Sequence, residues 1–147
     1  MRLMNNMEKE FLNPTGLCLG EIISEIEKAG LVSENGDDKQ IFFDFGSAIP
    51  TKLDSYRGFY EQLALGYTLT GYDSQDNHFK NITAKELLAE LKSAIGKEFT
   101  GWKGGEFIMN EKTPVWVSNS GNCSNTIVLG ILNKNYQLII LTGYYEY

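Results

Sequence analysis

Residues 44–67 read DFGSAIPTKLDSYRGFYEQLALGY, and this stretch joins an apolar run to a turn, an arginine and a second aromatic-rich run. Upstream of it, Gln40 to Phe45 is rich in β-branched and aromatic residues, which suit a pleated surface, and most of its side chains are apolar. That composition predicts a central strand. Gly46 to Ser55, holding Pro50, reads as a loop. Tyr56 to Thr70 then supplies a second extended run, in which Leu63, Leu65 and Tyr67 alternate with Gln62, Ala64 and Gly66, the period-two pattern of a strand with one crowded face.

Two amphipathic helices flank this stretch. From Leu17 to Ala29 the apolar residues Leu19, Ile22, Ile23 and Ile26 recur at helical spacing against Glu21, Glu25, Glu27 and Lys28, and Gly30 is a C-terminal stop. The second carries the strongest start signal in the chain. Thr83-Ala84-Lys85-Glu86 is a capping box, in which hydroxyl and carboxylate satisfy free backbone donors, and Leu87, Leu88, Leu91, Ala94 and Ile95 form the stripe behind it. Laying residues 17–26 on 82–91 gives the same apolar pattern and two matching glutamates, a possible weak repeat of helix followed by strand.

After Gly96 the pattern turns to strands at Glu106–Met109, Val115–Ser118, Thr126–Leu132 and Tyr136–Leu141, the last two a hairpin across Asn133-Lys134-Asn135. Ser118 to Asn125, made of small hydrogen-bonding residues, reads as a loop. So does Gly71 to Lys80, with Asp73, Asp76 and the single histidine, His78. The expected fold is α+β: two helices packed on one face of a largely antiparallel sheet of five or six strands. Residues 1–16 form an N-terminal arm ended by Asn13-Pro14-Thr15-Gly16, and residues 17–147 a single domain.

Composition limits the function classes. The chain has 147 residues, 42% apolar and 12% aromatic, and a formal net charge of -6. Binding to duplex nucleic acid needs clustered Lys and Arg to release counterions, so that partner is not expected. No apolar run is long enough for a membrane span and no export signal opens the chain, so a cytoplasmic protein is expected. Cys18 and Cys123 belong to no metal-ligand pattern. Asp73 and Asp76 lack the glycine and closing glutamate of a calcium loop, so no metal site and no cofactor is assigned.

The chain has two arginines, Arg2 and Arg57. Arg57 stands between Tyr56 and Gly58, where a planar guanidinium can grip phosphate or carboxylate with two hydrogen bonds and stack on aromatic faces. The alternative is an ion pair with Asp44, Asp54 or Glu61 that pins two strands. Trp102-Lys103-Gly104-Gly105 offers an aromatic face, a cation and backbone that a ligand can approach, without P-loop spacing, or else a turn with a packed tryptophan. Asn119, Asn122 and Asn125 are candidate amide contacts, or a solvated loop. Met109 and Trp116 read as core. The candidate ligand site is therefore Tyr56, Arg57, Gly58, Tyr60, Trp102, Lys103, Gly104, Gly105 and Asn119, with no catalytic residue assigned. Asp44 and Asp54 are the carboxylates an enzymatic reading would use.

DFGSAIPTKLDSYRGFYEQLALGY, followed by ITAKELLAELKSAIGKEFTGWKGGEF and TPVWVSNSG, resembles a family of small uncharacterised phage and prophage proteins over about residues 17 to 142. The resemblance implies a host-facing accessory role inside a bacterial cell, anti-defence action being one such role. Two readings of different classes follow. One is a non-enzymatic sponge for a nucleotide-like phosphorylated molecule; the other is an acidic inhibitor that docks on a host nuclease or nucleic-acid-binding effector. Two helical stripes cannot bury Phe42, Ile49, Leu53, Tyr60, Ile108, Trp116 and the C-terminal tyrosines together, so a homo-oligomer using the second sheet face or the sheet edges is expected.

Overall fold

The computed structural model describes residues 16–46, 48–55, 63–69, 82–100, 106–119 and 122–144. Among them are two helices, α1 (Leu19–Ala29) and α2 (Ala84–Ala94). The strands are β1 (Gln40–Phe43), β2 (Ala48–Ser55), β3 (Leu63–Leu69), β4 (Glu98–Thr100), β5 (Glu106–Ile108), β6 (Val115–Asn119), β7 (Asn122–Asn133) and β8 (Gln137–Tyr144). Six strands make one sheet in the order β1-β8-β7-β6-β3-β2, while β4 and β5 form a separate hairpin. The fold is α+β, and the sheet is mixed. β1 runs parallel to β8 and β3 parallel to β6, the other neighbours being antiparallel. The end strands β1 and β2 touch each other, so the sheet curls into an almost closed barrel.

Inside the curl the helix stripes meet the sheet. Leu19, Ile22 and Ile26 of α1 and Leu87, Leu88 and Leu91 of α2 pack in one core with Ile41, Phe43, Leu63, Leu65, Val115, Val117, Val128, Leu138 and Ile140. Met109 joins that core, and Trp116 is buried on the opposite face with Ala64 and Ile127. Both helices start with the same device. Glu86 N–H donates to the Thr83 hydroxyl at 3.1 Å and Thr83 N–H to the Glu86 carboxylate at 3.0 Å, while Cys18 N–H donates to the Glu21 carboxylate at 2.9 Å. Each box satisfies donors that helix geometry leaves free.

The repeat hinted at by the two helices extends through the whole sheet. Each helix start docks antiparallel on the beginning of a strand, Cys18 opposite Pro114 and Thr83 opposite Gln40. The bonds correspond: Leu19 N–H to Thr113 C=O with Val115 N–H to Leu17 C=O, and Ala84 N–H to Lys39 C=O with Ile41 N–H to Ile82 C=O. The parallel ladders correspond too, Leu63–Val115 and Leu65–Val117 against Leu138–Ile41 and Ile140–Phe43. In β2 the stretch from Pro50 to Leu53 has one residue more than its partner Leu65 to Tyr67. In β7, Val128 to Ile131 has one more than Ile140 to Thr142. The chain is thus two αβββ units, α1-β1-β2-β3 and α2-β6-β7-β8, related by a pseudo-two-fold axis, with β4–β5 inserted in the second.

Three expectations are corrected. Gly46–Ser55 is not a loop, because residues 48–55 form β2. Ala48 N–H turns away from β3 to donate to Phe45 C=O at 2.9 Å. By alternation Pro50 also directs its donorless nitrogen to the free edge, where proline is tolerated. The same residue explains why β1 and β2 touch without forming the ladder that their counterparts β6 and β7 form. Ser118–Asn125 is likewise not a loop, since Ser118 pairs with Cys123 and Asn119 with Asn122; ladder bonds use the backbone and are indifferent to these small polar side chains. Finally β1 stops at Phe43 rather than Phe45, and β4 carries too few residues to show a period in sequence.

Candidate functional site

Most of the candidate ligand residues, Tyr56, Arg57, Gly58, Tyr60, Trp102, Lys103, Gly104 and Gly105, lie outside the described residues, as do His78, Asp73 and Asp76. The strands that lead into them are described. Residues 56–62 connect β2 to β3 beyond the Ser55–Leu63 pair; Leu63 itself donates its N–H to the Pro114 carbonyl at 2.9 Å. Residues 101–105 connect β4 to β5 beyond the Thr100–Glu106 pair. β2 and β4 touch, so the two connections issue from neighbouring strands.

Asn119 stands elsewhere. It closes β6 opposite Asn122, whereas the 56–62 connection is registered with the start of β6 through Leu63 and Val115. Four residues of extended chain, about 13 Å, separate the two ends.

The β4–β5 hairpin has its own electrostatics. Phe99 enters the core and pairs with Phe107, and the Lys97 ammonium lies 5.2 Å from the centre of the Phe99 ring, a cation–π arrangement. On its exposed side the charge of Glu106 beside Glu98, reinforced by a hydrogen bond between the two carboxyls, raises the Glu98 pKa above the ordinary glutamate value. Ile108 next to them is 65% exposed. A cationic group placed there relieves the repulsion.

The DFG corner between β1 and β2 is structural. Phe43, Phe45 and Tyr67 form an aromatic cluster, with Phe45 edge-on to Tyr67 at 4.9 Å and stacked on Phe43 at 5.3 Å. Asp44 spends both carboxylate oxygens on Thr142, accepting its N–H at 2.9 Å and its hydroxyl at 2.6 Å.

Sequence reading missed Lys39, which lies at the end of a polar turn yet is 96% buried, at 4% exposure. Its ammonium donates to Ala29 C=O at 2.8 Å and to the Asn133 side-chain oxygen at 3.1 Å. A cation on the last carbonyls of α1 is favoured by the helix dipole. Nothing in the residue pattern marks it, because the pairing spans the β7 terminus. At the other end of α1 burial pushes the Cys18 thiol up from its ordinary value, which keeps it protonated and poorly nucleophilic.

Among the described residues no three His, Cys, Asp or Glu side chains stand together as a metal site, and no helix is long and apolar enough to cross a membrane. Comparison with protein-family models, with curated proteins and with solved structures found no match.

Proposed function

We propose that the protein is a phage-type accessory binder that sequesters a nucleotide-like phosphorylated small molecule without catalysis, acting in the cytoplasm of a bacterial host. One observation carries this reading. The two αβββ units match through helices, ladders and bulges, and they part company at the two segments that hold the phosphate-gripping residues. The β2–β3 connection runs over residues 56–62 where its counterpart needs only 134–136, and 101–105 cap a hairpin that the first unit lacks. A scaffold held constant around lengthened connections is the usual arrangement of a binding site on rigid strands. Contact between β2 and β4 favours joint action of Arg57 with Lys103, and of Tyr56, Tyr60 and Trp102 as stacking faces, with Gly58, Gly104 and Gly105 admitting the ligand to the backbone.

The test is recovery of bound nucleotide from heat-released purified protein, followed by calorimetric titration of Arg57→Ala with whatever is recovered. The variant is expected to keep its melting temperature and to lose about 1.5 to 3 kcal/mol of affinity. A strongly destabilised Arg57→Ala protein would instead place Arg57 in a structural ion pair and remove the binding reading.

A second reading is favoured by the Glu98–Glu106 pair beside exposed Ile108, together with the net charge of -6. It is an acidic inhibitor that docks this hairpin on the basic surface of a host nuclease or nucleic-acid-binding effector. Salt-sensitive binding abolished by Glu106→Lys, with no nucleotide recovered, selects it over the sponge.

A further inference from the structure

Asn35-Gly36 is the one Asn-Gly pair in the chain, and it stands at the tip of the turn that joins α1 to β1. Three backbone bonds close that turn: Lys39 N–H to Leu31 C=O at 2.9 Å, Ser33 N–H to Asp37 C=O at 2.8 Å and Gly36 N–H to Ser33 C=O at 3.0 Å. Residues 34–38 are all exposed. Gly36 has φ 92°, and a β-carbon placed on it would meet nothing within 4 Å. The turn needs a residue at ease with positive φ, and the glycine that satisfies it leaves the nitrogen after Asn35 with neither a side chain nor a neighbour to shield it.

A second contact prepares the other reacting group. The Ser33 hydroxyl donates to the Asn35 side-chain oxygen, and Ser33 is 7% exposed, so packing rather than solvent holds the donor in place. A hydrogen bond aimed at a carbonyl oxygen draws electrons from its carbon and stabilises the oxyanion formed when a nucleophile adds. Chain connectivity supplies that nucleophile: the Gly36 nitrogen, whose addition to Asn35 Cγ closes a succinimide ring.

We infer that Asn35 is a site of spontaneous deamidation, a slow covalent change built into this turn. Water takes the Gly36 amide proton, the nitrogen bonds to Asn35 Cγ, and the Cγ–Nδ2 bond breaks as the side-chain nitrogen leaves, protonated, as ammonia. A second water then opens the ring. Attack at the side-chain carbonyl gives aspartate; attack at the α-carbonyl gives isoaspartate, in which the backbone runs through the side-chain methylene. The net change is one water consumed and one ammonia released, with no oxidant and no cofactor. Gly36 N–H must first leave Ser33 C=O, and a bond across an exposed turn of this kind opens at small cost. Either product adds a carboxylate to a segment that already holds Glu34, Asp37 and Asp38, and like charges so close repel. Isoaspartate also lengthens the backbone between Ser33 and Asp37, so the bond that closes the turn there loses its register. The turn ends at Lys39, whose ammonium ties Ala29 C=O to the Asn133 side chain; loosening the turn therefore acts on that buried clamp.

The test is to hold the purified full chain at neutral to mildly alkaline pH and to sample it over days by intact mass and by peptide mapping that separates aspartate from isoaspartate. The first change expected is exchange of NH2 for OH on the peptide that holds Asn35, with isoaspartate in excess and a rate that rises with pH. The aged fraction should melt below the fresh protein. Asn35→Gln and Gly36→Ala, both at exposed positions, should lose the modification over the same period, the first because the ring it would close is larger and slower to form, the second because a β-carbon shields the nitrogen. An Asn35 that stays intact while the same chain, unfolded in guanidinium, deamidates there overturns the inference. So does earlier deamidation at another asparagine, or a Gly36→Ala chain modified at the wild-type rate.

Discussion

The Asp44 carboxylate bridges the backbone N–H and the hydroxyl of Thr142, at 2.9 and 2.6 Å, where β1 has already ended and β8 continues. A side chain thereby takes the place of the next rung in the parallel ladder, after Asp44 N–H has bonded Ile140 C=O at 3.0 Å. The turn into β2 begins from that anchor.

Asp44→Ala is expected to lower stability by about 1 to 2 kcal/mol, the range for charge-assisted hydrogen bonds at an exposed site. Thr142→Val removes the hydroxyl half only. Urea unfolding of the two single variants and the double variant should give a non-additive cycle; strict additivity means the two side chains do not act together.

Gly16 and Gly36 both have positive φ, 85° and 92°, but different surroundings. A β-carbon on Gly16 would stand 2.7 Å from the Ile127 β-carbon and 3.0 Å from the Val128 carbonyl, while one on Gly36 meets nothing within 4 Å. Gly36→Ala should therefore cost only the conformational penalty, about 1 kcal/mol, and Gly16→Ala roughly 3 kcal/mol because overpacking is added. Equal midpoints in thermal melts would contradict the close approach at Gly16.

Lys39→Met keeps the bulk of the side chain and removes the ammonium from Ala29 C=O and the Asn133 amide. The expected loss is about 1 to 3 kcal/mol, the cost of buried acceptors left short of a donor. The Asn133 side-chain amide Nδ2 also donates to Ala29 C=O, at 3.3 Å, and softens the loss. An unchanged or higher melting temperature would show that burying the charge costs as much as its bonds return.

The Glu98–Glu106 pair gives a pH signature. A carboxyl whose pKa is raised in the folded state makes the native protein bind a proton more readily than the unfolded chain, so its contribution to stability is present at low pH and is lost as pH rises through the raised value. Glu98→Gln should accordingly raise the melting temperature at neutral pH. Its advantage should vanish as the wild-type pair protonates in acid. An advantage that is constant from acid to neutral pH would assign the gain to something other than charge.

Both helices were legible in sequence, because stripe and glycine stop agree over three turns in each and the second adds its capping box; the Cys18 cap of the first came only from the structure. The Asn133-Lys134-Asn135 turn was legible through residues that tolerate left-handed backbone, and Asn135 adopts φ 64°. β2 was not, since Pro50 signals a break unless the strand is known to lie at an edge. The second unit of the repeat was legible only in its helix; corresponding strands share register and bulge, which are properties of pairing, while their residues differ, as Asp54 and Leu132 do. Sequence proposed Asn119 beside Arg57 from amide chemistry alone, and the length of β6 separates their strand ends. Lys39 left no local trace because its partners lie in α1 and β7.

The crossed docking of the two helices bears on how the chain is made. On a ribosome α1 emerges early, but the strand against which Leu17 and Leu19 dock begins at Val115, nearly a hundred residues later and on the order of ten seconds at ordinary elongation rates. Until then the stripe of Ile22, Ile23 and Ile26 lacks both β7 and the second helix, which pack against its helix in the finished fold. The first αβββ unit is a half-built object waiting for its twin, since both parallel ladders join segments far apart in the chain, the kind of pairing that loop-closure entropy delays.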